Sequence, residues 1–503
     1  MAAPLRLGAL AVALAAVGCG DNIIDPFLAL VRVSGASPFD DGCGGAQPGA
    51  SYSGVEVEPQ VAIDPTNPAH LVGAWQQDRW SNGGARGIGT AVTFDGGATW
   101  TTATPPVGRC SGGSAPGADY QRTTDPWVAF AADGSVHLAV QVFDAITNRN
   151  AMTVSRSRDG GMTWGDPVVL LADDVPSIFN DKDALTADPV DPGRLYLVWD
   201  RVTQIDPTHA SGPTWLARAT DGAWEPARAI YDPGDDAQTI GNLIVVLPDG
   251  TLVCAFDLIT SASATVPTHM LAVIRSADHG LTWSSATVIA AMRAAGAEAG
   301  EAGEAGERTG DAGERRSDPD DSAESVGPPT LRIARRAPIR TGADLPQAAV
   351  DRRTGTIYLV WDDSPAANVP DAVMLVRSTD GGVSWSAPIA VNGALDVDAF
   401  TPSVAVATDG TVGVSYFDLR AARPGADPPP TTPWLATSHD GGATWTEQAM
   451  SDAFDLGPAR LDTFYFLGDY QGLAAVGTGF LAFFAAATPG DGTHTDVFVR
   501  LPR

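Results

Sequence analysis

The chain has 503 residues, 44% of them hydrophobic and 18% charged, with 60 acidic against 31 basic side chains and a formal net charge of −29. That apolar content can build a large core, and the acidity argues against nucleic acid or an anionic lipid surface as a partner. The seven histidines form no His-Glu-x-x-His pair, and no phosphate-cradling Gly-Lys-Ser/Thr loop or Gly-x-Ser-x-Gly elbow occurs, so zinc hydrolysis, nucleotide binding and elbow-type serine catalysis find no support.

The N-terminus reads as an export signal over residues 1–18. Arg6 precedes the apolar run Leu7 to Val17, and Ala16-Val17-Gly18-Cys19 resembles a lipobox. The run is too short to span a bilayer, and no later stretch is long and apolar enough to do so. Lipidated Cys19, with residues 19–27 as a tether, would hold the body 28–503 at a bacterial membrane from the extracytoplasmic side, periplasmic or cell-surface; an ordinary cleaved signal is the alternative. Leu28 to Val33 is an unpaired strand candidate. The three remaining cysteines allow three single pairings. Cys254 lies in the buried-strand pattern Leu252-Val253-Cys254-Ala255-Phe256, whereas Cys43 and Cys110 lie in Gly-rich connections, which favours a Cys43–Cys110 disulfide.

From Thr93 onward one phrase recurs: Ser/Thr-x-Asp-Gly-Gly-x-Thr/Ser-Trp. It occupies Thr93 to Trp100, Ser157 to Trp164, Ser276 to Trp283 (with His279 at the first Gly position), Ser378 to Trp385 and Ser438 to Trp445, with a shortened copy at Thr220 to Trp224. Its aspartates, Asp95, Asp159, Asp221, Asp278, Asp380 and Asp440, are 64, 62, 57, 102 and 60 residues apart. An Asp side chain can accept from backbone N–H groups a few residues on, and glycines supply positive φ without steric cost, so each copy is a self-contained hairpin turn. The Trp buries an apolar face; the motif is a structural fastener.

The long step contains the Ala/Gly/Glu-rich segment 292–340, which has too few aromatic and β-branched residues to offset chain entropy and reads as a disordered insert between the fourth and fifth units. Without it the period is close to 60 residues, the signature of a repeat architecture with four short strands per blade. The sixth unit reads as strands Ser403 to Ala407, Val412 to Phe417, Trp434 to Thr437 and Glu447 to Met450. Beyond it, Gln471 to Val476, Phe480 to Ala486 and Val497 to Leu501 give three more strands, and Leu28 to Val33 can supply the fourth. The expected fold is an all-β propeller, seven blades favoured over six, closed by an N-terminal strand.

The recurring phrase matches the Asp-box, and over almost its whole length the chain resembles the sialidase-like Asp-box (BNR repeat) propellers, including bacterial exo-alpha-sialidases. That resemblance implies an exported protein that binds a glycan and hydrolyses a terminal sugar. Asp-boxes also occur in sorting receptors and assembly factors, so the alternative is a non-catalytic module for protein or polysaccharide binding at the cell surface. Family members use three arginines for the substrate carboxylate, a Tyr assisted by a Glu as nucleophile, and an Asp as acid/base. Their Phe/Tyr-Arg-Ile-Pro signature is absent here, and sialidases have six blades.

Strand order puts the boxes on one face and the second-strand ends and first-strand entries on the other, where propellers bind. That open face carries Gln77-Asp78-Arg79-Trp80, Trp199-Asp200-Arg201, Phe417-Asp418-Leu419-Arg420, Arg122 with Asp125, Asn180-Asp181-Lys182-Asp183 and Gly468-Asp469-Tyr470-Gln471. Each Asp alone is read most simply as a loop cap. Read together as a site, Arg79, Arg122, Arg201 and Arg420 would orient an acidic substrate, Asp78 or Asp125 would serve as acid/base, and Tyr470 with Glu58 would form the nucleophile pair, Tyr416 and Tyr120 being the other tyrosines within this pattern. No cofactor is expected; calcium among the face aspartates has no ordered loop spacing to specify it.

Overall fold

The computed structural model describes residues 24–25, 30–115, 118–206, 209–264, 267–293, 338–343, 345–364, 369–423, 426–489 and 492–502. The signal segment, Cys19 and residues 294–337 of the insert lie outside them. Among the described residues the fold is all-β, with only two single-turn 3-10 segments, Arg109–Ser111 and Gly457–Ala459.

The strands group into seven four-stranded antiparallel units, here called blades one to seven. Their first strands are Glu56–Asp64, Arg122–Phe130, Ile178–Ala187, Ala237–Val246, Gln347–Val350, Ala399–Val406 and Gly472–Val476. Each first strand packs against the next and the last packs against the first, which closes a propeller ring. Blade six shows the common order, Ala399–Val406, Val412–Asp418, Pro430–Ser438 and Thr446–Ala449, close to the strands read from sequence. Blade seven takes Gly472–Val476, Gly479–Ala487 and Thr495–Arg500 from the C-terminal part and Leu30–Arg32 from the N-terminal part, with Leu30 opposite Arg500 and Arg32 opposite Phe498.

Every full box has the same internal bonding. In blade two, Asp159 Oδ1 accepts from Ser157 Oγ and from the Thr163 amide, each at 2.8 Å, and Oδ2 accepts from Thr163 Oγ1 at 2.6 Å. The corresponding bonds recur around Asp95, Asp278, Asp380 and Asp440. They favour the ionised carboxylate: the Ser384 hydroxyl and amide, with Ser378, push Asp380 down to about 2. In the shortened copy Thr220 bonds Glu225 instead.

Cys43 and Cys110 form a disulfide with Cα atoms 5.3 Å apart. Cys254 is free and buried, and burial pushes its thiol up.

Two sequence expectations change. The insert is narrower than 292–340: Met292 ends the strand Thr287–Met292 and is buried, and Ile339–Arg340 runs parallel to Phe464–Phe466, which pairs antiparallel with Arg460–Leu461. These flanking residues bury side chains and satisfy backbone groups, which the composition of the neighbouring low-complexity stretch conceals. The face expected to be open is covered near the axis by this small three-stranded sheet, whose Leu461 and Phe466 are buried with Val55 and Val57.

Candidate functional site at the propeller axis

Five first strands carry a bulge at the same level. The register shifts between Val57 and Gln60, Thr124 and Trp127, Asp181 and Ala184, Ile240 and Leu243, and Phe400 and Ser403. Inside each shift lies one residue with left-handed backbone: Glu58, Asp125, Lys182, Gly241 and Thr401. A bulge re-aims the side chain of the extra residue, and a left-handed non-glycine residue stores about 1 kcal/mol or more of strain. In blades one to three the bulges therefore deliver two carboxylates and an ammonium to a common place.

Lys182 Nζ lies 2.6 Å from Asp469 Oδ2, 3.7 Å from Asp125 Oδ1 and 3.9 Å from Glu58 Oε1. Arg340 grips Asp469 with both ends of its fork, at 2.8 and 2.5 Å. Gln76 donates to Glu58 and, at 2.8 Å, to Thr124, and accepts from Arg79 at 2.7 Å. Arg79 and Arg340 both stack on the Phe466 ring, at 5.2 and 5.0 Å. All these charged groups are buried, Glu58 at 0% exposure and Asp125 at 1%. The cap lies directly on them: a Cβ on Gly342 would meet the Asp469 backbone at 2.2 Å, and one on Gly468 the Glu58 backbone at 2.5 Å. Both glycines also have positive φ, so no other residue suits either place.

The electrostatics follow from burial and neighbours. Burial, Asp125 and then Asp469 push the Glu58 carboxyl well up, and burial with Asp125 and Asp181 does the same to Asp183. Burial alone would raise Asp469, but Arg340 and Lys182 outweigh it and hold that carboxyl well below the usual range. Buried oxygens of Glu58, Asp125 and Asp183 have no hydrogen-bond donor. Among the described residues, no three His, Cys, Asp or Glu side chains are grouped as metal ligands.

Of the residues expected in a site, Glu58, Asp125, Tyr470 and Arg79 come to this axial cluster. Tyr470 packs beside Trp127 at 5.5 Å and donates to the Pro126 carbonyl at 3.4 Å; burial with Glu58 and Asp125 raises its phenol far above the ordinary value. The others are engaged elsewhere. Asp78 accepts from Ser37 at 2.6 Å and the Gly54 amide at 2.9 Å and faces Arg86, and Arg122 donates to Gln47, Asn82 and the carbonyls of Pro48 and Gly83. Both clasp the segment that carries Cys43. Arg201 pairs with Asp173 at 2.5 Å and stacks on Trp215; Arg420 pairs with Asp418 and Glu447 and stacks on Trp434. Tyr120 is buried beneath Arg149.

Lys182 was placed on this face by the sequence but given no role, although it is the only lysine in the chain; two further groups were not assigned to a site at all. Arg340 was hidden at the edge of the insert. Glu447 sits on an outer strand, yet it accepts from Tyr416 and Arg420 and joins a phenol, a carboxylate and a guanidinium at the junction of blades five and six. Tyr416 is fully buried, and burial and Glu447 raise its phenol.

No family model matches the chain, and no curated protein matches it. Among solved structures the fold is similar to an alpha-L-arabinanase of Penicillium chrysogenum, at 12% identity and TM-score 0.45, covering 93% of this chain and 97% of that one. It is similar to a Hadza microbial sialidase at 14% identity and TM-score 0.44, covering 86% and 75%. It is also similar to a protein of unknown function from Dyadobacter fermentans, at 12% identity and TM-score 0.45, covering 92% and 100%.

Proposed function

We propose that this propeller binds a glycan without cleaving it, and that it does so outside the cytoplasm, tethered through Cys19. The observation that carries the reading is the state of the axis: Glu58, Asp125 and Tyr470 are sealed beneath the cap and locked to Lys182, Arg340 and Gln76 or to backbone. A raised, carbonyl-bound phenol is a poor nucleophile, and arginines committed to their own neighbours cannot together grip one substrate carboxylate. Glycan binding is supported instead by two partly exposed tryptophans, Trp215 and Trp434, each flanked by a fixed guanidinium and carboxylate. The guanidinium lies over one face of each ring, and the aromatic surface left free beside these fixed polar groups suits a polyhydroxylated ring.

The test is a panel of fluorogenic sialosides and other glycosides, run beside polysaccharide pull-downs. No turnover is expected, with retention on one polysaccharide class that falls in Trp434→Ala. Turnover lost in Asp125→Asn or Tyr416→Phe would replace this reading with catalysis. Sealing has its own check, because Lys182 is the one lysine: an amine-reactive ester is expected to modify it in urea and not in the native protein. Native labelling would show an axis open to substrate.

A further inference from the structure

The six box tryptophans occupy six of the seven junctions between blades. Trp100 packs with Leu481 and Phe483 at the junction of blades seven and one, and Trp164 with Val72 and Val92 between one and two. Trp224 packs between blades two and three, Trp283 between three and four, Trp385 between four and five, and Trp445 between five and six. Each full box leans back on the blade before it; in blade six, Gly441 and Gly442 rest on Tyr358, Arg377 and Leu375 of blade five. Blade seven takes its fourth strand from Leu30–Arg32 and so has no turn in which a box could stand. Among the described residues, the cluster between blades six and seven contains no tryptophan.

That junction holds a cleft of about 180 Å³, lined by Thr411, Leu435 and Thr437 of blade six and by Phe480, Ala482 and Leu501 on the blade-seven side. Leu435 and Thr437 stand three and one residues before the box serine Ser438, as Leu375 and Arg377 stand before Ser378. The blade-six wall is therefore the counterpart of the surface that receives a box in blade five. We propose that this cleft is a binding site for a planar aromatic molecule of indole size, entering the position that a box tryptophan holds at the other six junctions. The cleft is larger than an apolar cavity of about 150 Å³ that accepts a benzene ring, and it is open at one side to the rest of a bicyclic ligand. Phe480, Ala482, Leu435 and Leu501 supply apolar walls, while Thr411 and His439, bonded to each other at 2.9 Å, give the mouth polar groups for a ring N–H or substituent. The site lies on the box face, away from the axis, and does not depend on the glycan reading.

The experiment is a titration of the full chain with indole, followed by saturation-transfer NMR on the ligand. Saturable binding is expected in the wild type and in Val383→Trp, which adds an exposed tryptophan in the blade-five box. Thr437→Trp and Leu435→Trp each place an indole in the cleft and are expected to weaken binding at least about tenfold, judged in whichever variant keeps the wild-type far-UV spectrum. Absence of saturable binding in the wild type overturns the proposal, and so does a folded filling variant that binds indole as the wild type does.

Discussion

Lys182 faces more negative charge than it can neutralise. Asp469, Asp125 and Glu58 lie within 4 Å of its ammonium; Arg340 also grips Asp469, and Arg79 also acts on Glu58. The cluster balances because Glu58 and Asp183 are pushed toward their neutral forms. Removing the one ammonium takes a cation from three buried carboxylates at once and leaves Asp469 to Arg340, so Lys182→Met is expected to lose about 3–5 kcal/mol, read from urea denaturation. Asp183 gives a pH signature. Its folded pKa lies above the unfolded one, so the stability it contributes is complete below the ordinary carboxylate pKa of about 4 and is lost as pH rises through the folded value. Asp183→Asn abolishes that dependence. Its melting temperature relative to the wild type is expected to climb between about pH 5 and pH 8, and a constant difference across that range would show that Asp183 does not titrate there.

At the level of the element, the box joins a local turn to a junction between blades. Trp164 is 9% exposed, packs among residues of blades one and two and donates to Thr90 at 3.1 Å. Trp164→Ala is expected to cost about 3–5 kcal/mol in denaturant titrations, and Trp224→Ala less, because that tryptophan belongs to the shortened copy and is only partly buried. The boxes were legible in the sequence because their bonds close within a few residues, and the role of Leu30–Arg32 because the three strands after the sixth unit lacked a fourth. The axis was legible only in part. Glu58 and Asp125 could be named, but their neighbours Arg340 and Asp469 reach them through closure of the whole ring. Trp-Asp-Arg at a strand end reads the same whether the arginine faces the axis or, as with Arg201, an aspartate on the neighbouring blade.

The whole molecule is held by two long-range ties near its N-terminal part. The Cys43–Cys110 disulfide closes a separation of 67 residues, and the loop-entropy estimate for a ring of that size is about 4 kcal/mol. The double change to serine is expected to lower stability by about that amount, measured against the oxidised wild type; an unchanged denaturation midpoint would show that the clasps at Asp78 and Arg122 already fix the segment. The second tie is the pairing of Leu30–Arg32 with Thr495–Arg500. Blades one to six can each assemble from one stretch of chain, whereas blade seven requires two segments far apart in sequence. A product that stops before residue 495 leaves two unpaired sheet edges exposed, the kind of surface that recruits other chains. Ring closure thus works as a check that these two distant segments are both present in one chain.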